Sequence, residues 1–451
     1  MRPVNILYVH SHDTGRYIEP YGHAIHTPRL KKLAEEGVLF RQAFTASPTC
    51  SPSRACLLTG QYAHSNGMLG LAHRGFSLND YKKHIVHTLK EHGYTSALSG
   101  IQHVASYDSR NKREAYQVIG YDQCLTSDGG EAHEKASQFL DDIGDKPFFL
   151  SVGFFETHRE FPGRHPDENA GFTMPPAPLP DTPEVREDMA RFKQMARSLD
   201  RKVGVVLDAL ERNGLAGNTL VISTTDHGIA FPRMKCNLED SGTGVMLLMR
   251  GPCGFSGGKV IDGMVGQIDI FPTICDLLEI PKPDWLQGKS FYPLITGEKK
   301  EVQDELFFEI NVHAAYEPMR AVRTRRFKYI RRFNSYPRPV LPNCDAGLSK
   351  SVWLGNGWAA HTPDEEALFD LIFDPNETNN LLLNEARKNM PEVAGALADM
   401  RDRLENWMIL TKDPLLGPEG LNLPEGAKLN PRSDTDPNAI NYVDINDKGK
   451  L

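Results

Sequence analysis

The run Pro48-Thr49-Cys50-Ser51-Pro52-Ser53-Arg54-Ala55-Cys56-Leu57-Leu58-Thr59-Gly60 sets a sulfur, a guanidinium and a predicted helix start side by side. Pro52 follows Cys50 by two residues and Ser53 to Leu58 is suited to a helix, so the proline falls in a first turn, where its missing N–H costs nothing. Cys50 therefore lies at a helix mouth, where unpaired N–H groups and the positive end of the helix dipole gather, and Arg54 adds a full positive charge one turn in. The chemistry on offer is an anion pocket containing a sulfur, and the first reading is a thiolate of lowered pKa. A buried structural cysteine before a helix is the plain alternative. Two further pairs, His12-Asp13 and Asp226-His227, would make a divalent metal site if they converged, although each pair alone reads as a loop cap or a hydrogen-bonded histidine. His103 and His158 are candidate proton carriers, each following a predicted buried strand.

These groups need elements to hold them. Val4 to Val9 is nearly continuous in apolar character, as expected of a strand in a parallel sheet covered on both faces, and it delivers His10 to Asp13 at its carboxyl end, where open α/β sheets bind ligands. Thr27-Pro28 opens a helix with Leu30, Leu33 and Ala34 on one face, ended by Gly37. Val38 to Phe44 is predicted as the next strand, running towards Cys50. A helix over 84–92, a strand over 94–99 ending at Gly100-Ile101-Gln102-His103, and a central strand over 147–155 ending at Glu156-Thr157-His158-Arg159 follow. The proline- and acid-rich segment 164–183 is a long loop, and 185–213 is a long helix closed by Gly214. Thr219 to Thr225 is another buried strand, delivering Asp226 and His227, and a strand over 245–249 and a helix over 268–278 complete the first unit.

Strands alternating with helices predict an α/β fold, a doubly wound and mostly parallel sheet spanning residues 1–310. Beyond it, residues 319–332 alternate apolar and basic, 366–372 reads as a short strand, and Val393, Leu397, Met400, Leu404 and Trp407 share a helix face. Residues 311–451 are therefore expected to form a smaller α+β domain with a short antiparallel sheet and one helix, its tail from Asn422 lying over the surface. The basic run Arg320, Arg323, Arg325, Arg326, Lys328, Arg331 and Arg332 reads either as a rim recruiting an acidic sugar or as a solvated strand face. His313 and Glu317, at the expected junction, are weaker candidates for reading substrate.

Hydrophobic residues at 40% and charged residues at 24% describe a soluble globular chain, and no apolar run approaches a membrane span. The first apolar segment is only six residues long and enters a polar stretch, which reads as a buried strand and not a secretory signal, so a cytoplasmic protein is expected. Seven cysteines without tight spacing argue for a reducing compartment. A formal charge of −8 disfavours nucleic acid and long polyanions as partners, so an anionic substrate needs a local basic pocket.

Cys-x-Pro-x-Arg followed by Ala-x-Leu-Leu-Thr-Gly resembles the signature of type I sulfatases of the alkaline phosphatase superfamily, and the chain to about residue 415 resembles the N-sulfoglucosamine sulfohydrolase branch. Supporting stretches are Asn66-Gly67-Met68, Pro147 to Leu150, Asp226-x-Gly-Ile-x-Phe-Pro232, Asn237-Leu238, Pro318-Met319-Arg320, Asp370 to Pro375 and Asn380-Leu381. The resemblance implies that Cys50 is converted by a maturation enzyme to formylglycine, whose hydrate is the nucleophile. It also implies a divalent ion held by the residues at His12, Asp13, Asp226 and His227 and faced by residue 50, a base at His103, a leaving-group or sulfate contact at His158, and a sulfate clamp at Lys235. The plain reading of Lys235 is a solvated surface lysine.

Three positions depart from the family pattern. His12 replaces an aspartate and His227 an asparagine, which favours manganese, zinc or iron over the calcium usual for an all-oxygen shell, although calcium remains open if His12 does not touch the ion. Ile101 replaces a lysine that binds sulfate. The implied activity is hydrolysis of sulfate esters or sulfamates, with a sulfated sugar or an aryl sulfate as the small anionic substrate. Phosphonate monoester or phosphodiester hydrolysis on the same scaffold is the alternative, and a non-catalytic sugar-binding relative would keep Cys50 as a thiol. Assembly into a homo-oligomer stays open.

Overall fold

The structure, a computed structural model, describes residues 3–106, 114–163 and 168–445, so the start of the expected 164–183 loop and the last residues of the tail lie outside the described residues. Its strands are β1 (Asn5–Ser11), β2 (Val38–Phe40), β3 (Ala43–Phe44), β4 (Thr95–Gly100), β5 (Gln123–Thr126), β6 (Phe148–Gly153), β7 (Thr219–Thr225), β8 (Leu247–Arg250), β9 (Lys259–Ile261), β10 (Val265–Gly266), β11 (Leu306–Val312), β12 (Tyr316–Arg323), β13 (Phe327–Arg332) and β14 (Glu366–Asp370). Eight of them form one sheet in the order β5-β4-β6-β1-β7-β8-β2-β9. From β5 to β7 every pairing is parallel, so β4, β6, β1 and β7 open their carboxyl ends on the same edge.

Alternation along β1 explains why that sheet is covered twice. Ile6 and Tyr8 enter the core on one face, where the Cys50–Thr59, Ile85–Glu91 and Ile270–Leu278 helices pack. Leu7 and Val9 enter the other, against Leu30 and Leu33 of the Pro28–Glu36 helix and Leu199, Val203 and Leu210 of the Pro183–Arg212 helix. Each such fully buried side chain contributes roughly 1.5–3 kcal/mol of transfer free energy. The long helix starts where proline at its first position and Thr182 predict, with the Thr182 hydroxyl accepting from Val185 N–H at 3.4 Å.

One expectation is corrected: the segment 38–44 is two strands in different sheets, because Arg41 and Gln42 turn the chain between β2 and β3. The sheet is mostly parallel as expected, with β8 antiparallel to β7 and β2 on one flank.

The second sheet is antiparallel, β11-β12-β13-β14, and β11 straddles residue 310. One face carries Val322, Tyr329 and Leu368 against Leu397, Met400, Leu404 and Trp407 of the Pro391–Leu410 helix, the face read from the sequence. The other packs Phe308, Ile310, Met319 and Ile330 onto Phe44, Cys236 and Leu238 of the first unit.

The basic run on β12 and β13 is split: Arg325 and Arg331 are exposed, whereas most of the others are closed by carboxylates. Arg320 is buried, with Nε 2.6 Å from Asp413 and Nη2 3.5 Å from Glu309. Arg323 and Lys328 are buried on Asp240 at 3.0 and 2.9 Å, and Arg326 reaches Asp370 at 2.9 Å. Arg332 lies 3.0 Å from Glu317. Among the described residues no helix is long and apolar enough to cross a membrane.

Candidate active site

Thr49 is extended (φ −147°, ψ 143°) and Cys50 is the first helical residue, 2% exposed, so the sulfur does sit at a helix mouth. The mouth is tied to the sheet by Ser53, whose hydroxyl donates to the Asp226 carbonyl at 2.6 Å. Burial pushes the Cys50 thiol up, Asp226 and Asp13 adding to it against Lys235 and Arg54, so the resting thiolate expected from the helix dipole is not favoured.

Arg54 crosses from the helix to both neighbouring strand ends. Its Nη2 donates to the Ser11 carbonyl at 2.8 Å and to Asp226 Oδ2 at 3.0 Å, and its Nη1 to His10 Nδ1. Because a guanidinium only donates, His10 Nδ1 must be an acceptor and the ring proton sits on Nε2, which faces Ser151 Oγ at 3.2 Å. Glycine is required beside it: a Cβ on Gly153 would stand 2.0 Å from the Ile101 carbonyl and 2.6 Å from the His10 ring. Arg54 Nε, buried, has no partner among the described residues.

Asp13 follows β1 in the left-handed region (φ 51°), and its N–H donates to Asp226 Oδ1 at 2.8 Å, joining the β1 and β7 exits directly. Thr157, from the β6 exit, donates to the His12 and Asp13 carbonyls at 3.0 Å each. His12 Nδ1 lies 3.2 Å from Asp226 Oδ2 without hydrogen-bond alignment, and neither ring nitrogen of His12 has a hydrogen-bond partner. Burial, joined by Arg54, holds His12 well below the usual histidine range, so its ring is neutral. His227 donates from Nδ1 to the Gly228 carbonyl at 2.9 Å, which turns Nε2 towards Asp13 Oδ1 at 3.4 Å and Cys50 Sγ at 3.5 Å. Burial alone would raise the Asp226 carboxyl, but His227, Arg54 and His12 around it hold it well below the ordinary range.

His12, Asp13, Cys50 and Asp226 each turn one donor atom inward, all within 4.8 Å of one another. Asp13 Oδ1 and both His12 nitrogens are buried and lack hydrogen-bond partners, a costly arrangement unless a cation meets them. The residues present therefore fit a divalent ion. Mixed nitrogen and oxygen donors suit a transition metal better than calcium.

The remaining candidates border this group. His103 (φ 56°) sets its ring edge-on to His12, centroids 4.7 Å apart, with a buried and unpartnered Nδ1. His158 donates from Nδ1 to the Arg159 carbonyl, leaving Nε2 3.9 Å from Asp13 Oδ2. Lys235 is not a solvated surface lysine: it is 2% exposed and bridges Asp13 Oδ2 at 3.1 Å and Asp345 Oδ2 at 2.9 Å. Burial opposes its charge, but Asp13 and Asp345 raise it well above the usual lysine range.

Asp345 carries no motif and its role comes only from tertiary placement, which is why sequence reading passed it over. His313 accepts or donates at Thr49 Oγ1 over 2.6 Å, so it buttresses the helix cap. Arg159, next to His158, forms a two-pronged pair with Asp188 at 2.8 and 2.7 Å, locking the β6 exit to the long helix.

The family model "Sulfatase" matches residues 4–280, and "N-sulphoglucosamine sulphohydrolase, C-terminal" matches 233–339. Human N-sulphoglucosamine sulphohydrolase is 30% identical over 93% of this chain and 93% of its own length. An ulvan-active sulfatase of Formosa agariphila is 26% identical over 94% of this chain and 77% of its own. Choline-sulfatase of Rhizobium meliloti is 25% identical over 88% of this chain and 86% of its own. A solved structure in complex with its substrate D-glucosamine-2-N,6-O-disulfate has the same fold, with a TM-score of 0.68, 18% identity, and coverage of 92% of this chain and 99% of that one. With strand exits converging on Cys50 and a family model spanning more than half of its length, this chain belongs to the sulfatase family, hydrolases of sulfuric esters and sulfamates.

Proposed function

We propose that the protein hydrolyses the sulfate ester or sulfamate of a sugar, using formylglycine derived from Cys50 and one divalent ion. The observation that carries this reading is the convergence of residue 50 with His12, Asp13 and Asp226 around buried donor atoms that lack partners. Residue 50, oxidised to an aldehyde and hydrated, supplies an oxygen nucleophile and a second hydroxyl whose deprotonation restores the aldehyde and frees sulfate; the ion supplies charge neutralisation.

The chain's own groups do the rest. Arg54 locks the Asp226 carboxylate and the β1 carbonyl, fixing the donors that face residue 50. Lys235 donates to Asp13 at 3.1 Å and is ion-paired with Asp345 at 2.9 Å, and keeps an N–H for a nonbridging sulfate oxygen or the departing atom. His158 presents Nε2 at the same edge, and the unpartnered His103 Nδ1 is the acceptor for the proton removed from the geminal hydroxyl. Two imidazoles, His12 and His227, favour manganese, zinc or iron, and stoichiometric calcium alone in protein purified without added metal would refute that preference.

Ile101 stands where the family carries a sulfate-binding lysine, which keeps phosphonate or phosphodiester hydrolysis as the second reading. Peptide mass spectrometry tests the nucleophile: conversion of Cys50 lowers the peptide mass by about 18 Da. Matched rates on aryl sulfate and aryl phosphonate esters then decide the substrate, a faster sulfate rate supporting the first reading and a faster phosphonate rate overturning it.

A further inference from the structure

Two sets of donor atoms meet at residue 50, and they differ in chemistry. His12, Asp13, Cys50 and Asp226 form the oxygen-rich set at the strand exits. His12, Cys50 and His103 form another, with one ligand atom of each within 4.8 Å of the others and no carboxylate among them. The ligands of one tetrahedral zinc ion, at about 2.0–2.3 Å from it, stand roughly 3.3–3.6 Å apart, so closing this set takes shifts of about 1 Å.

The donors of the second set are held and free. His12 is fully buried, and neither of its ring nitrogens has a hydrogen-bond partner. His103 Nδ1 is buried and equally unpartnered, on a residue fixed in the left-handed region (φ 56°) just after β4. The two rings stand nearly perpendicular, at 75° with centroids 4.7 Å apart. Two imidazoles with unpartnered buried nitrogens beside a thiol are a costly arrangement unless a ligand meets them. His103 as a whole is partly exposed, which gives an ion a way in.

Softness separates the two sets. A thiolate with two imidazoles suits zinc or cobalt, whereas two carboxylates with one imidazole accept harder ions. A neutral imidazole has one ring lone pair, so His12 serves one set at a time.

We propose that the unconverted, thiol form of this protein binds zinc through Cys50, His12 and His103, with the fourth position left to water. As the ion enters, the thiol releases its proton to solvent and the sulfur binds as a thiolate. Conversion of residue 50 removes the sulfur, and with it the soft ligand, which frees His103 to act as base and leaves the ion to Asp13 and Asp226. The chemical state of residue 50 thereby selects the metal position. This goes beyond the proposed activity, because it concerns the form without a sulfate-cleaving nucleophile and is read without turnover.

The test uses the full chain, with Cys50 shown to be a thiol by peptide mass spectrometry, and cobalt(II) as the probe ion, beside Cys50→Ser and His103→Ala. The expected spectrum has a sulfur-to-cobalt charge-transfer band in the near ultraviolet and the intense visible bands of a four-coordinate ion, both bleached by added zinc. Cys50→Ser should lose the charge-transfer band, and His103→Ala should bind cobalt about tenfold more weakly or worse. Circular dichroism checks that the variants fold, and His103→Gln repeats the comparison should the alanine variant unfold. A wild-type spectrum without the charge-transfer band overturns the site. Unchanged cobalt affinity in a folded His103 variant also overturns it, because the ion then lies with the carboxylates.

Discussion

Two buried charge clusters, one at the strand exits and one on the C-terminal sheet, are built in opposite ways. In the C-terminal sheet, Arg320, Arg323 and Lys328 are each closed by carboxylates at 2.6 to 3.0 Å, and the atoms left without a hydrogen bond, Asn311 Oδ1, Arg332 Nη2 and one Glu377 oxygen, are scattered. At the strand exits, both His12 nitrogens, Asp13 Oδ1, Arg54 Nε and His103 Nδ1 lack hydrogen-bond partners. Burying polar groups without partners costs free energy, so a fold that keeps several in one place holds them for something that arrives later. The difference teaches that charge density does not mark a site; unsatisfied charge does.

If that contrast holds, neutralising the two clusters must have different consequences. Asp226→Asn should lower turnover by about 10³-fold or more even in its folded fraction, because the Arg54 brace and an ion ligand go together; a steady-state assay beside calorimetry checks this. Arg320→Met should do the reverse, leaving Asp413 and Glu309 buried without their cation at a cost of roughly 3–5 kcal/mol in chemical denaturation, with the folded fraction retaining its turnover. Equal loss of activity in both would erase the distinction.

A subtler member of the first cluster is His10. It touches no substrate but accepts from Arg54, so His10→Ala should cut kcat about 10- to 100-fold with little change in KM, and His10→Asn, which keeps an acceptor, should recover part of it.

The second cluster also has a pH signature. Burial raises the Glu377 carboxyl from 4.5 to about 8, Asp240 and Glu239 adding to this and Lys328 opposing it. A carboxyl raised in the folded state binds its proton more tightly there than in the unfolded chain, so its contribution is full below 4.5 and lost as pH rises through about 8. Glu377→Gln should therefore melt about 3 °C higher than wild type at pH 8, the gap closing towards pH 4.5. The smallest effect belongs to Arg326, paired with Asp370 but 39% exposed, whose replacement by alanine should leave the melting temperature close to wild type.

The catalytic edge was legible in the sequence because short apolar runs in β1, β4, β6 and β7 each end in a polar cluster, and parallel pairing brings such ends to one edge. The Cys50 helix start was legible from Pro52 and the residues around it. The basic run was misread because its partners Asp240 and Asp413 lie 83 and 93 residues from Arg323 and Arg320, Asp240 brought in by packing on the first unit and Asp413 by the turn after the Pro391–Leu410 helix. Asp345 was invisible for the same reason. The break between β2 and β3 was read through because Ala43 and Phe44 resume the apolar pattern after Arg41 and Gln42, while the pairing partner changes.

Elemental analysis of protein purified without added metal, read against Asp13→Asn, tests the central claim most directly. The account predicts about one divalent ion per chain in wild type, lost in the variant while Arg320→Met retains it in its folded fraction. Wild-type protein that hydrolyses its substrate at full rate with no bound ion, or a variant that keeps the ion, would contradict it.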